Sequence, residues 1–368
     1  MADTETEEIT KVLKQKRKKG IPLAEFVSSG STLLNLACSD KLNGGFAKGH
    51  YYSLIGDSTS GKTWLSLTCN AEAAINPNFD NYDFIFDNVE DGALMDIEAY
   101  FGPKMLARMR SPGKNGENST TVETFYYHLD DCIKRAKKTG RPFIYVLDSQ
   151  DALGSEAAKA KFEEQKEAYE KGKESKGSYG DGKAKYHSEN IRNVLSGIRE
   201  TKSILIVIGQ TRDNVTGMGF DKKTRSGGKS LRFYATLEIW SSVQEKLYKN
   251  VNGKKRQIGI LANIKIKKNR FTGKNSEVTI PIYTSIGIDD TGSCVDFLLE
   301  EKHWKLIQKK GEDTKVIDAV ELDFQGSRGA LIRHIEENDL EPDLRQIVGD
   351  VWQEIQDAMA IHRKNKYA

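Results

Sequence analysis

The sequence predicts an α/β fold with a mostly parallel central sheet, antiparallel strands at the sheet edge, a short N-terminal helical segment and a small C-terminal helical lobe. Three observations carry that expectation. From about residue 50, continuous apolar runs alternate with helix-periodic stretches, the pattern of strands buried on both faces. The first such strand runs into a glycine-rich turn, "GDSTSGKT" (56–63), that opens a helix. After Ala235 the rhythm changes to strand upon strand with short polar connections, as in antiparallel sheet.

Taken in order, "YYSLI" (51–55) is the first strand and "KTWLSLTCNAEAA" the helix after it. "YDFIFD" (82–87) is the second strand. "TVETFYYHLDDCIKRAKK" (121–138) is a helix, with Phe125, Leu129 and Ile133 four apart. "PFIYVLD" (142–148) is the third strand. "ENIRNVLSGIR" sets Ile191, Val194, Leu195 and Ile198 on one helical face. "SILIVIG" (203–209) is the fourth strand, ended by Gln210. "LEIWSSV", "IGILANIKIKK" and "SEVTIPIY" are expected to add antiparallel strands at the edge. "GALIRHIEENDLEPDLRQIVGDVWQEIQDAM" is helical, with Pro342 as punctuation. The expected organisation is an N-terminal segment (1–27), a core (28–300) and a C-terminal lobe (301–368). Residues 154–186 interrupt the core with a run of Ala, Glu, Lys, Gly and Ser. Its first half suits a charged helix held by Glu–Lys pairs, its second half a mobile connection.

Composition excludes several classes. Charged residues are 30% of the 368 and the net charge is only +3, so overall charge does not by itself mark a nucleic-acid binder. Cys38, Cys69, Cys132 and Cys294 are far apart with no CxxC, which suggests neither disulfides nor zinc and fits a reducing cytoplasmic compartment. No run approaches the length of a membrane span. The "KQKRKKG" cluster near the start is a solvated terminus or a basic arm.

The turn at 56–63 fits G-x-x-x-x-G-K-[ST] in full. Its backbone N–H groups, from Gly56, Asp57, Ser58, Thr59, Ser60 and Gly61 on, can converge on phosphate oxygens at a positive helix end. Lys62 is expected to reach the β- and γ-phosphates of ATP, and Thr63 to offer its hydroxyl to Mg²⁺. A second metal-holding acid should close another strand, and Asp148 does so. The strand-end cluster "FIFDNVEDGAL" offers Asp87, Glu90 and Asp91 to orient the attacking water. Glu90, just past the strand tip, is the first choice and Asp87 the alternative. Gln210 can hydrogen-bond the γ-phosphate and pull on the loop that succeeds it. That loop is polar and glycine-rich, and carries Arg212, Lys222, Lys223, Arg225 and Lys229 against Asp213 and Asp221. Cations and glycines of this kind suit sequence-independent phosphate contacts, and Met218 or Phe220 could wedge between bases.

These pieces resemble the RecA/RadA recombinase superfamily, most closely bacterial RecA and phage UvsX-like recombinases. The resemblance covers roughly residues 28–300. "SSGSTLLNLACSDKLNGGFAKGHYYSLIGDSTSGKT", "FIYVLDSQDAL" and "LIVIGQTR" carry it, and "SGGKSLRFYATLEIW" is its most specific match. The later "KIKKNRF" and "GIDDTGSCVDFLLEEKHW" come in the family's order. The family resemblance implies a RecA-type P-loop ATPase that forms a helical homo-oligomeric filament on single-stranded DNA and pairs it with homologous double-stranded DNA. ATP would lie between subunits, with Gln210 sensing it. The second DNA loop would run from Thr211 to Lys229, hinged at Gly227 and Gly228, and the first would fall within 154–186. Lys268 and Arg270 match a cationic pair that reaches the neighbour's ATP, where the family more usually has Lys at both. Tyr283 matches an aromatic that packs on adenine from across the interface. A single-strand binding or loader protein would be a further partner. The basic end, "IHRKNKYA", stands where many members carry an acidic tail, which is expected to ease DNA loading. A ring-forming helicase on the same core, or a scaffold ATPase whose 154–186 insertion binds protein, are the competing expectations.

Overall fold

The first strand of the main sheet, Tyr51–Gly56 (β1), has every residue inside the molecule and pairs on both sides with parallel strands. This computed structural model describes residues 20–171, 183–213, 223–225, 228–308, 315–361 and 363. Ahead of β1, helix α1 (Thr32–Ser39) starts on Ser31, whose hydroxyl accepts the N–H of Leu34. The chain then builds helix α2 (Lys62–Ile75), strand β2 (Asp83–Asn88), helix α3 (Val122–Thr139) and strand β3 (Phe143–Asp148). A capping box at Thr121 and Thr124 begins α3 and left-handed Gly140 ends it, the stop and start chemistry expected of a helix flanked by tight connections.

Helix α4 (Glu156–Glu170) buries none of its residues. Glu–Lys pairs such as Glu167 with Lys171 (3.2 Å) line it, as the composition of this insertion predicts. Helix α5 (Lys183–Glu200) begins inside the insertion, earlier than its apolar face alone announces. Residues 172–182, the remainder of the expected mobile half, lie outside the described residues.

Strand β4 (Ile204–Asp213) runs past the expected end at Gln210. Thr211, Arg212 and Asp213 pair antiparallel with Arg225, Thr224 and Lys223, so the flanks of the polar loop form a ribbon. Helix α6 (Gly228–Tyr234) comes directly after it. Strands β5 (Leu237–Val251) and β6 (Lys254–Asn269) form a long hairpin, and β7 (Glu277–Tyr283) pairs with β6. The expectation that the strands after Ala235 are all antiparallel additions fails for β5. It lies parallel to β1, in register from Tyr52↔Leu237 to Gly56↔Ser241, because α6 carries the chain back to the start of the sheet.

Among the described residues the sheet has ten strands. Its main path runs from the short strand Gly287–Ile288 through β7, β6, β5, β1, β4, β3 and β2 to Met109–Arg110. Alternate side chains face opposite sides. Tyr52, Phe84, Ile144 and Ile206 join α2 in one apolar cluster, and Tyr51, Ile85, Tyr145 and Leu205 join α3 and α5 in another. The chain ends with helix α7 (Asp290–Glu300), a three-stranded sheet of β8 (Lys305–Gln308), β9 (Lys315–Ala319) and β10 (Phe324–Gly326), and helices α8 (Arg328–Glu337) and α9 (Glu341–Met359). Leu331, Ile335, Leu344 and Val348 of the last two helices belong to the same cluster as α2. All four cysteines are buried thiols.

Candidate nucleotide site

Backbone conformation builds the phosphate loop. Gly61, at φ 87°, precedes α2, and a Cβ there would stand 2.3 Å from Ile282 Cδ1. At Gly56 a Cβ would meet the Ser241 carbonyl oxygen at 2.2 Å. Gly56 is therefore required by the close approach of the β5 backbone, and Gly61 by its left-handed conformation. Ser241 Oγ donates to the Ser60 carbonyl (2.5 Å), tying the loop to β5.

The Asp57 carbonyl accepts from Lys62 Nζ (2.5 Å) and Ser60 Oγ (2.8 Å). Burial lowers the pKa of the Lys62 ammonium, opposed by the carboxylates of Asp148, Glu90, Asp57 and Asp151. Thr63 Oγ1 donates to Asp148 Oδ2 at 2.6 Å. Asp148 is pushed above the usual carboxylate range by burial, with the Thr63 hydrogen bond pulling the other way and Glu90 reinforcing the rise.

A cavity of about 410 Å³ opens over this loop. It is lined by Ser58–Thr63, Glu90, Asp148, Ser149 and Gln210, and also by Trp64, Gln257 and Tyr283. Gly56 and Asp57 form the root of the loop rather than its lining. Glu90 accepts from Gln210 Nε2 (3.0 Å) and from Ser149 Oγ. Asp87 is fully buried elsewhere, accepting from Ser119 N (2.8 Å), Ser119 Oγ (2.6 Å) and Tyr145 OH (2.6 Å). Of these two carboxylates, only Glu90 lines the cavity.

Tyr283 lines the cavity of its own chain, because the β6–β7 register sets it opposite Gly259, another lining residue. Burial raises the pKa of its phenol, and Asp289 adds to the rise.

Comparison with known proteins agrees with this architecture. The RecA N-terminal domain family model matches residues 164–289. Protein RecA of Lactococcus lactis subsp. cremoris is 26% identical over 289 residues, covering 77% of this chain and 65% of the relative. Protein RecA of Lactiplantibacillus pentosus is 25% identical over 290 residues, 77% and 66% respectively. That of Chlorobaculum tepidum is 23% identical over 299 residues, 78% and 72%. The chain is similar to the RecA family over this range. It matches slightly less than two thirds of the Lactococcus relative's length.

In this chain Lys268 and Arg270 stand far from the phosphate loop. β6 is antiparallel to β5, so Asn269 pairs with Leu237 near the start of β1, while the loop lies past its end. Lys268 Nζ donates to the carbonyls of Arg232 and Phe233 (both 2.7 Å), and Arg270 Nη2 to that of Phe233 (2.6 Å). The pair thus caps the C-terminal end of α6, where cations are favoured. Of the expected DNA-loop residues, Arg212 is exposed and 3.8 Å from Asp151. Lys223 and Arg225 lie on the strand paired with β4, and Gly228 and Lys229 open α6. Met218, Phe220, Lys222 and Gly227 lie outside the described residues.

Several residues of the site carry no local motif. Trp64 meets Tyr100 edge-on at 4.9 Å, and Tyr100 OH donates to the Thr284 carbonyl (2.9 Å) beside the cavity. Asp151 accepts the Gln210 N–H (2.7 Å), and Thr211 Oγ1 donates to Asp57 Oδ1. Ser149 and Asp151 come directly after the β3 aspartate in "LDSQD", which is the one signal that marks them.

Proposed function

We propose that the chain is an ATP-dependent DNA recombinase that forms a helical filament on single-stranded DNA and promotes pairing with a homologous duplex, in the cytoplasm of a bacterial or phage-infected cell. One chain of contacts carries the reading. Glu90 in the cavity is held by Gln210, and Gln210 leads through Thr211 and Arg212 into the ribbon that flanks the polar loop. A change at the γ-phosphate therefore has a short covalent path to the loop.

In this reading Lys62 neutralises phosphate oxygens, leaving the Asp57 carbonyl as it turns to the ligand. Thr63 Oγ1 and Asp148 Oδ2 are hard oxygen donors side by side next to a phosphate loop, a donor set that fits Mg²⁺. Bound there, the ion would offset charge on the phosphates. Glu90 orients the water for attack on the γ-phosphorus, and Gln210 exchanges its bond to Glu90 for one to the γ-phosphate. Lys268 and Arg270 of a neighbouring protomer reach the same phosphates, at the expense of their cap on α6. The loop between Thr211 and Lys229 then orders on single-stranded DNA.

Lys62→Ala should abolish ATP binding and DNA-stimulated hydrolysis. Glu90→Gln should bind ATP normally, slow turnover by roughly 10²- to 10⁴-fold and leave filaments locked on DNA. Electron microscopy with single-stranded DNA and a slowly hydrolysed ATP analogue reads the assembly directly. Helical filaments are expected, and closed rings or no DNA complex would sink the proposal.

A further inference from the structure

The β5–β6 hairpin outgrows the sheet. β5 pairs with β1 as far as Ser241 and continues to Val251. On the other side β6 meets β7 only from Gly259 onward. Beyond these limits Tyr248–Val251 and Lys254–Gln257 pair only with each other. The two-residue turn between them is Asn252-Gly253, with φ 52° and 74°, the residues and signs that a tight twisted hairpin demands. The result is an exposed two-stranded arm, roughly 13 Å long at about 3.3 Å per residue. It leaves the sheet at the same end as the phosphate loop, since both lie just beyond the Gly56–Ser241 pair.

Its chemistry is cationic on both faces. Arg256 lies directly opposite Lys249, and Lys254 two residues away shares their face. Lys246 and Lys255 are on the other face, with Lys255 Nζ over the Tyr248 ring at 4.4 Å. Glu245 at the base is the single acid between residues 244 and 257. Among the described residues, Lys246, Lys249, Lys254 and Arg256 form no ion pair. Like charges directly across a strand pair destabilise it, and an isolated ribbon is marginal to begin with. Folding alone gives no reason for this choice of residues.

We propose that the arm is a second nucleic-acid contact, separate from the polar loop, and that its ligand is the phosphate backbone of duplex DNA. A two-stranded ribbon has the width of the B-DNA major groove, and cations on both faces can meet the phosphates on either side of it. Single strands are instead held on rows of exposed aromatic platforms, and the arm carries a single aromatic ring, Tyr248, with Lys255 over one of its faces. The inference rests on the reading that the chain acts on DNA, but it assigns the duplex a place of its own.

The test uses the full chain and the triple variant Lys249→Gln/Lys254→Gln/Arg256→Gln, all at exposed positions. Thermal stabilisation by Mg-ATP checks that the nucleotide site is intact. Binding of a labelled duplex without nucleotide, measured over a salt series, is the readout. Neutralising three phosphate contacts should flatten the log K against log salt slope by roughly 2 to 3 and weaken binding about tenfold or more at low salt. The ATP-dependent complex with single-stranded DNA should be unchanged. Duplex binding equal in the two proteins, or absent in the unaltered one, overturns the proposal; the cations would then serve to keep an exposed ribbon from pairing with other sheets. Loss of filaments with duplex binding intact overturns it too, in favour of a contact between copies. If the unaltered chain bound duplex through the arm but formed no ATP-dependent single-strand complex, the recombinase reading would fail while the arm stood.

Discussion

Asp57 has two hydrogen-bonding ends with different dependents. Its carbonyl holds Lys62 and its carboxylate holds Thr211, at the root of the polar loop. A negative side chain beside a triphosphate site costs affinity, by about 1 kcal/mol for a partly solvated pair. Asp57→Asn keeps an acceptor for Thr211 but removes that charge, so ATP should bind roughly fivefold tighter with DNA stimulation retained. Thr211→Val should do the reverse, leaving ATP affinity unchanged and reducing DNA stimulation of hydrolysis several-fold. Isothermal titration with ATP and hydrolysis rates with and without single-stranded DNA separate the two, and equal effects from both variants would discard the link. At this scale the sequence was legible wherever backbone spacing sets the chemistry, as for Lys62, Thr63 and Asp148. It was not legible where pairing between distant strands decides, as for Gln257 and the Thr211–Asp57 contact.

The elements divide in the same physical way. β1 to β3 are buried on both faces, and their unbroken apolar runs announce them. The end of β4 is polar, and only its pairing with Lys223–Arg225 makes it strand. The direction of β5 depends on α6, a short helix with little apolar signature. His50 marks where these elements meet. Its carbonyl accepts the Leu205 N–H (3.1 Å), and its Nδ1 is 3.1 Å from Thr236 Oγ1, just before β5. Burial lowers its pKa below the ordinary imidazole value, and Arg199 and Arg270 add to the effect. The unfolded chain therefore takes up the proton first. The stability that neutral His50 contributes is complete above the unfolded-state pKa and is lost as pH falls through that value toward the folded one. Thermal unfolding should shift downward between pH 7 and pH 5.5, by less in His50→Gln. An identical shift in the variant would assign the pH dependence to other groups.

At the scale of the whole molecule, the C-terminal helices bear on the central sheet through shared apolar contacts. Val351 and Trp352 of α9 belong to the cluster that contains Leu65 of α2 and Leu54 of β1. The Trp352 indole donates to Asp40 Oδ1 (3.2 Å), just past α1, and Asp40 also pairs with Lys274 (2.8 Å). Lys274 in turn donates to Gln356 of α9 (2.7 Å). A core that runs on without a polar break should melt as one unit. Trp352 is only 8% exposed, so Trp352→Ala should cost about 3–5 kcal/mol. Because the cluster is shared, that loss should appear in the phosphate-loop half as well as in α9. Amide exchange should accelerate together in α9 and β1, and calorimetry should show one transition moved to lower temperature. Faster exchange confined to α8 and α9, with the β1 amides and ATP affinity untouched, would mean that the C-terminal helices fold as a unit of their own and that the apolar continuity carries no cooperativity.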